Sequence, residues 1–339
     1  MSFKKKLRNF RLSIGKSLLD KELHHHSKTE RILFMRQDGK LGDYMVSSFC
    51  YREIKKFNPT IHIGVVCTRK DAYLYESNPY IDALYFVRTK HIGDYISMGR
   101  RLAKLNYDVV IDPTETLRNR DLLFLRLINA AYYIGYQKSD YKMFNASIEG
   151  VQHYSSIYIK ALQKLGIATK NTNYDIPFNA TAEKDVEAFL QQHAIRDYIA
   201  INFYGAARAR TMSVENIKKH IAYIQQQKPN RAIVLLSYPA VYDELKAVSD
   251  LYGGVYVHRS DTIFHTIALI RHCLQLISID TSTIHIASGF NKKIIAWYRT
   301  EESNYKQWHP ISDDETHVVF YHDTVNELNP EQIKSHWLV

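Results

Sequence analysis

Four stretches of this chain set chemically able side chains at spacings that invite a ligand. In LISIDTSTIHIASGF (276–290) an apolar run ends in Asp280, Thr281, Ser282 and Thr283, and His285 follows before the apolar character returns. Hydroxyls and a carboxylate there can cap the next helix, or can join its free N–H groups in holding an anion such as a diphosphate. In FYGAARARTMS (203–213) Gly205, Ala206 and Ala207 allow close backbone approach, and Arg208 and Arg210 follow at once. Small residues beside guanidinium groups at a helix start suit phosphate or pyrophosphate. SYPAVYDEL (237–245) offers Tyr238 to stack on a base and Asp243 or Glu244 to accept from ribose hydroxyls. That signal is weak, because acids in a first helical turn are usually just solvated. RQDGKLGDY (36–44) has Gly39 and Gly42 in a tight loop, with Asp38 and Asp43 at the strand-to-helix turn. It fits neither GxxxxGK[ST] nor GxGxxG, and the ordinary alternative makes Asp43 a helix N-cap.

Each of these stretches follows a short, branched apolar run, which is the strand signal. RILFMR (31–36), IHIGVVC (61–67), DALYFV (82–87) and YDVVID (107–112) alternate with helical segments, of which 44–57 and 152–167 are the clearest. ATKNTNYDIPFNATAEKD (168–185) is polar, Asn/Thr-rich and proline-containing, and reads as a linker. The rhythm then restarts with YIAINF (198–203), RAIVLLS (231–237), GVYVH (254–258), CLQLISID (273–280) and KKIIAWY (292–298). Strands alternating with helices give parallel sheets with crossover helices, so the expected class is α/β with two doubly wound domains. The expected boundaries are a basic arm at 1–28, a first domain at 29–175, a second at 185–325 and a C-terminal helix at 326–339. Ligands of doubly wound sheets bind beyond the carboxyl ends of the strands, which is where all four stretches fall.

Bulk composition narrows the classes. The 339 residues exceed what one core serves, and 45 basic against 35 acidic residues leave a net charge of +10. That excess points to an anionic partner: nucleic acid, a phosphorylated small molecule or an acidic membrane surface. The basic residues are dispersed and no nucleic-acid module is present, which argues against the first. No apolar run approaches the roughly 18–20 residues of a membrane span. Cys50, Cys67 and Cys273 form no pair motif and read as buried, reduced thiols of a cytosolic protein. The N-terminal segment lacks the continuous apolar core of a secretory signal. Its apolar residues Phe3, Leu7, Phe10, Ile14 and Leu18 fall on one helical face among Lys4, Lys5, Lys6, Arg8, Arg11 and Lys16. Such a helix either lies on an anionic membrane or packs on its own domain. His24, His25 and His26 cannot share a helical face, so a loop rather than a metal site is expected. No Asp-x-Asp occurs, and SDDE (312–315) reads as a solvated loop, so no metal site is expected.

Taken in order, these landmarks resemble glycosyltransferase family 9, the heptosyltransferases of lipopolysaccharide core assembly. RILFMRQDGKLGDYMVSSFCYREIKKFNP resembles the family's opening strand, Gly-Asp loop and helix; YDVVIDPTETLRNR and YYIGY (132–136) resemble its next landmarks. IDTSTIHIASGFNKKIIAWY, followed by WHP (308–310), resembles its Asp-Thr-Gly-x-x-His-x-Ala signature. The likeness runs from about residue 31 to 310. It implies a GT-B architecture of two Rossmann-like domains facing across a cleft. It also implies inverting, metal-independent transfer of heptose from an ADP-heptose donor to an inner-core acceptor, with no cofactor besides the donor substrate. By the same resemblance Asp43 matches the catalytic base, Arg210 a donor-phosphate cation, and Asp280, Thr281 and His285 the donor signature. Gly205, Arg208, Tyr238, Glu244 and Ser282 complete the expected donor set, and Lys40, Asp112, Thr114, Arg118 and Arg120 the acceptor set. An anionic, lipid-linked saccharide acceptor suits a cytoplasmic enzyme that contacts the inner membrane peripherally and binds no nucleic acid.

The sequence also departs from the family pattern. Ser282 replaces the signature glycine, Arg210-Thr211-Met212-Ser213 lacks the usual Trp-Pro, and the acid after the next strand is shifted. These departures leave open another nucleotide sugar as donor, or a catalytically inactive nucleotide-binding protein on the same scaffold. The chemistry agrees with the resemblance: inverting transfer needs one base for the acceptor hydroxyl, and cations or N–H donors for the leaving diphosphate.

Overall fold

The computed structural model describes residues 3–22, 28–37 and 39–339, with side chains of the first helix described from Phe10 onward. The three consecutive histidines and Asp38 lie outside the described residues. Two compact units divide between Thr172 and Asn173, inside the segment expected to be a linker.

The first unit opens with α1 (Phe3–Leu19) and continues as β1 (Arg31–Met35), α2 (Leu41–Phe57), β2 (His62–Cys67), α3 (Ala72–Glu76) and β3 (Ala83–Phe86). It returns through α4 (Ile92–Ala103), β4 (Val109–Asp112), α5 (Asn119–Ile128), β5 (Tyr132–Tyr136), β6 (Ala146–Ile148) and α6 (Tyr154–Lys164). All six strands are parallel, in the order β3-β2-β1-β4-β5-β6. A parallel strand is covered on both faces, so it reads as a continuous apolar run, and Ile32, Leu33 and Phe34 are wholly buried.

The second unit repeats the plan: α7 (Ala180–Gln192), β7 (Tyr198–Asn202), α8 (Val214–Gln227), β8 (Ala232–Leu235), α9 (Tyr242–Ser249) and β9 (Val255–Val257). It closes with α10 (Ile263–His272), β10 (Gln275–Ile279), α11 (Ser282–Gly289), β11 (Lys293–Arg299), α12 (Glu302–Trp308) and β12 (Thr316–Tyr321). Its parallel order is β12-β11-β10-β7-β8-β9. In both units the chain winds outward from the first strand and then returns to its other side. The reversal falls between β1 and β4 in one unit and between β7 and β10 in the other, which is where doubly wound sheets bind ligands.

Three readings need correction. The segment 180–185 is not linker but the start of α7, capped where Asn179 Oδ1 accepts from the Ala182 N–H at 3.0 Å. The strands β6 and β12 add an edge to each sheet. The expected C-terminal helix at 326–339 is three 3₁₀ turns, because Pro330 lacks an N–H and Asn329 and Lys334 hold extended backbone between turns. Cys50, Cys67 and Cys273 are buried and unbridged, and burial lifts the Cys67 and Cys273 thiols to about 12, so both are inert.

Candidate functional site

At the carboxyl end of β1 the chain leaves the sheet through Arg36, whose backbone N–H still donates to Val66 O at 2.8 Å. Its guanidinium is buried: Nη1 donates to the Tyr158 hydroxyl on α6, and Nη2 lies 3.7 Å from Asp43 Oδ1. Asp43 is not the N-cap of α2; that position is Lys40, which makes no side-chain cap. Asp43 instead occupies the first turn, 7% exposed, with Arg36 beside it. The phenol of Tyr154, one turn before Tyr158, is pushed up by burial and then by the carboxylates of Asp43 and Glu115. The loop after β1 and the loop after β4 thus both set their charge on that ring.

The other first-unit residues divide by role. Asp112, at the end of β4, is turned into its own loop, accepting from the Thr114 N–H at 2.9 Å. Its carboxyl is held above the usual range by burial, against the opposing pull of Lys138. Lys138, wholly buried, donates from Nζ to the carbonyls of Thr114, Glu115 (3.0 Å) and Tyr136 (2.6 Å). These two residues hold the loop in shape; beyond it Arg118 is exposed and Arg120 lies near Asp121 at the start of α5. Past the ends of β1, β2 and β3 lies a pocket of about 750 Å³. It is lined by Gln37 and Gly39 from the Asp43 loop and by Arg69, Lys70 and Arg88. Arg69 stacks 4.9 Å over the Phe86 ring, while Arg88 grips Asp94 through two 2.7 Å bonds. Sequence reading missed this basic pocket because its cations follow ordinary strand ends and share no motif.

In the second unit, β7 ends in Asn202 and turns through a tight hairpin. Gly205 N–H donates to Arg210 O at 2.7 Å, Tyr204 bridges Thr211, and Arg208–Arg210 form a 3₁₀ turn. A Cβ at Gly205 would stand 2.7 Å from the Arg210 Cβ, so closing the hairpin requires glycine here. The helix begins only at Val214, capped by Ser213. Arg210 reaches the end of β10, donating to the Asp280 carbonyl at 3.1 Å and lying 3.5 Å from its carboxylate. Asp280, also bonded by Asn304 Nδ2 at 3.0 Å, is raised by burial.

Thr281 is the N-cap of α11 but makes no side-chain cap. Its hydroxyl belongs to a buried cluster: Thr281 to Thr283 at 2.7 Å, Thr283 to Ser278 at 2.7 Å, with Asn202 Nδ2 donating to Thr281 and Ser278 at 3.1 Å each. Asn202 is a positioning residue the sequence did not single out. Ser282 is not among the positive-φ residues, so a side chain at the signature glycine's place strains nothing. Asn202, Tyr204, Tyr238, Thr262, Thr281 and Ser282 share a pocket of about 260 Å³. Arg208 and Glu244 line the neighbouring pocket with Tyr204, whose hydroxyl donates to Glu244.

His285 lines neither of these two pockets; buried on α11, it packs against Trp308 (ring centroids 5.5 Å) and Tyr174 (6.4 Å). Among the described residues one trio has metal-holding geometry: Glu183 and Glu187 on α7 with His272 on α10. It lines neither strand-end pocket, and Glu183 already receives His272 at 2.8 Å and Arg271 at 3.8 Å.

Two Rossmann-like units with polar pockets beyond their strand ends define the class that includes nucleotide-sugar enzymes of the GT-B type. The sequence profile of glycosyltransferase family 9 (heptosyltransferase) matches residues 95–337, and the chain belongs to that family. It is thus a glycosyltransferase of the heptosyltransferase type. An Escherichia coli K12 protein provisionally named lipopolysaccharide heptosyltransferase 4 is 24% identical over 335 residues, covering 96% of this chain and 91% of that one. The crystal structure of a family 9 glycosyl transferase from Veillonella parvula superposes with a TM-score of 0.72 at 18% identity, over 92% of this chain and 96% of that one. E. coli heptosyltransferase WaaC with ADP gives 0.66 at 14% identity, over 90% and 96%. Both likenesses concern the fold.

Proposed function

We propose that this protein transfers a heptose from ADP-heptose to an anionic lipopolysaccharide inner-core acceptor, with inversion and without a metal ion. The observation that carries the reading is Asp43, a nearly buried carboxylate paired to Arg36 at the end of the first strand of a family 9 chain. In the reaction an acceptor hydroxyl gives its proton to Asp43 as its oxygen bonds to the anomeric carbon. The bond from that carbon to the diphosphate breaks on the opposite face, and the leaving oxygen keeps the electron pair. Arg210, Arg208 and the N–H groups at the start of α11 receive that charge. Arg36, 3.7 Å from Asp43 Oδ1, holds the carboxylate in place. Tyr238 and the hydroxyl cluster around Thr281 suit the nucleoside. Arg69, Lys70, Arg88 and Arg118 suit acceptor carboxylates and phosphates.

The name lipopolysaccharide heptosyltransferase borne by one relative and the ADP in the WaaC structure support this choice of substrates. A different nucleotide sugar remains the second reading, because Glu244, offered to the ribose, is engaged by Tyr204. The enzyme would work on the cytoplasmic face of the membrane that carries the acceptor lipid, as a peripheral protein. No helix among the described residues is long and apolar enough to cross a membrane. The test is Asp43→Asn, which keeps the size of the side chain but cannot take the proton. Turnover should fall about 10²–10⁴-fold with donor affinity little changed, and wild-type transfer should persist in EDTA. Near wild-type turnover by the variant would remove Asp43 from the mechanism.

A further inference from the structure

An amphipathic helix normally turns its apolar stripe inward. The helix α1 does the reverse. It is fastened to the first unit by its other face: Gly15 lies so close to α5 that a Cβ there would stand 2.2 Å from the Asn119 side chain, and Asn119 Nδ2 donates to Arg11 O at 2.7 Å. Leu19 packs on the unit's core, Lys16 stands 4.3 Å over the Tyr141 ring, and the buried Asp20 accepts from the Lys142 and Met143 N–H groups at 2.9 and 2.8 Å. Clamped this way, the helix leaves Phe10, Ile14 and Leu18 exposed by 64%, 45% and 67%. These residues stand four apart and so form one stripe. Between Phe3 and Leu19 the helix carries six basic residues and no acidic one.

We propose that α1 is a lipid-docking helix whose Phe10–Ile14–Leu18 stripe enters the headgroup layer of an anionic membrane while its other face stays clamped to the acceptor-binding unit. The charge selects the occupant: an apolar stripe on a purely cationic helix fits an anionic lipid surface, whereas a second copy of the same helix would be repelled. Asn119, the clamp residue, stands between Arg118 and Arg120, so lipid docking holds the start of α5 one helix diameter, roughly 10 Å, from the membrane surface. This consequence rests on the reading of a lipid-linked acceptor; the docking itself does not.

The test uses the full chain and two vesicle types, phosphatidylcholine alone and phosphatidylcholine with phosphatidylglycerol. Wild type should float with the anionic vesicles and not with the zwitterionic ones. The triple variant Phe10→Ser/Ile14→Ser/Leu18→Ser changes only exposed side chains and should fold normally, with an unchanged melting temperature. It should lose about tenfold or more in partitioning for each side chain replaced. It should also transfer normally to a delipidated acceptor in solution but poorly to acceptor embedded in vesicles. Flotation of the triple variant equal to wild type overturns the proposal, as does absence of wild-type flotation with anionic vesicles. A wild-type dimer that the triple variant dissociates, without vesicle binding, assigns the stripe to a second copy and overturns it too. Failure of wild type to transfer to the soluble acceptor instead counts against the proposed reaction and leaves the docking intact.

Discussion

Replacing Lys138 by Met tests whether the loop after β4 is held by a buried ion and its carbonyls. The side chain is wholly buried, its Nζ bonded to three carbonyls, with Asp112 within electrostatic reach. Methionine fills similar volume but leaves Asp112 without its cation and the carbonyls without a donor. Removing one member of a buried charge pair costs about 3–5 kcal/mol, and the loss here should lie in that range. The sign of the pH dependence follows from the carboxyl. Burial already raises Asp112, Lys138 opposes the rise, and without Lys138 the folded state prefers the proton still more strongly. A carboxyl raised on folding favours the folded state at low pH and loses that advantage as pH rises through its folded value. The Lys138→Met penalty should therefore be largest at neutral pH and shrink as the pH falls through that value. Adding Asp112→Asn should recover part of the loss at neutral pH and little at low pH. The assay is denaturant unfolding of wild type, both single variants and the double variant, at neutral and acidic pH. A Lys138→Met penalty below about 1 kcal/mol, within the ordinary range for surface changes, or one independent of pH, would refute the reasoning.

Other consequences are equally direct. Arg210→Ala should weaken ADP by about 10–100-fold and adenosine little, since it removes a charge-assisted contact to phosphate; titration calorimetry with both ligands decides it, and equal losses would place this arginine elsewhere. Asp280 is raised by burial, so the ionised carboxylate is a cost in the folded state at neutral pH. Asp280→Asn should therefore raise the melting temperature at neutral pH, with the gain shrinking as the pH falls through the raised value, while donor affinity drops. A variant less stable than wild type at neutral pH would show that the Arg210 and Asn304 contacts outweigh burial.

The strands were legible because parallel, doubly covered strands are continuous apolar runs. The short β6 has only Ala-Ser-Ile, and β12 opens on polar Thr-His after the charged 313–315 stretch, so neither announced itself. The loops carrying Asp43, Arg210, Asp280 and Thr281 were also legible, since polar clusters interrupt apolar runs there. Arg36, Lys138 and Asn202 were not. Each is a lone polar residue at a strand end whose meaning depends on distant partners, as with Arg36 and Tyr158, which lie 122 positions apart. The apolar seam of α1 could be read from its spacing, but which face meets the protein depended on the small size of Gly15 opposite Asn119.

The central claim is the donor and the reaction. The direct measurement is a panel of nucleotide sugars offered to the wild-type enzyme with a purified inner-core acceptor lacking its next heptose, following nucleotide release and product mass together. ADP-heptose should release ADP and add one heptose residue to the acceptor, with the anomeric configuration inverted, and the other donors should give little. Transfer from a different nucleotide sugar in preference to ADP-heptose, or ADP release without a heavier acceptor, would contradict the account.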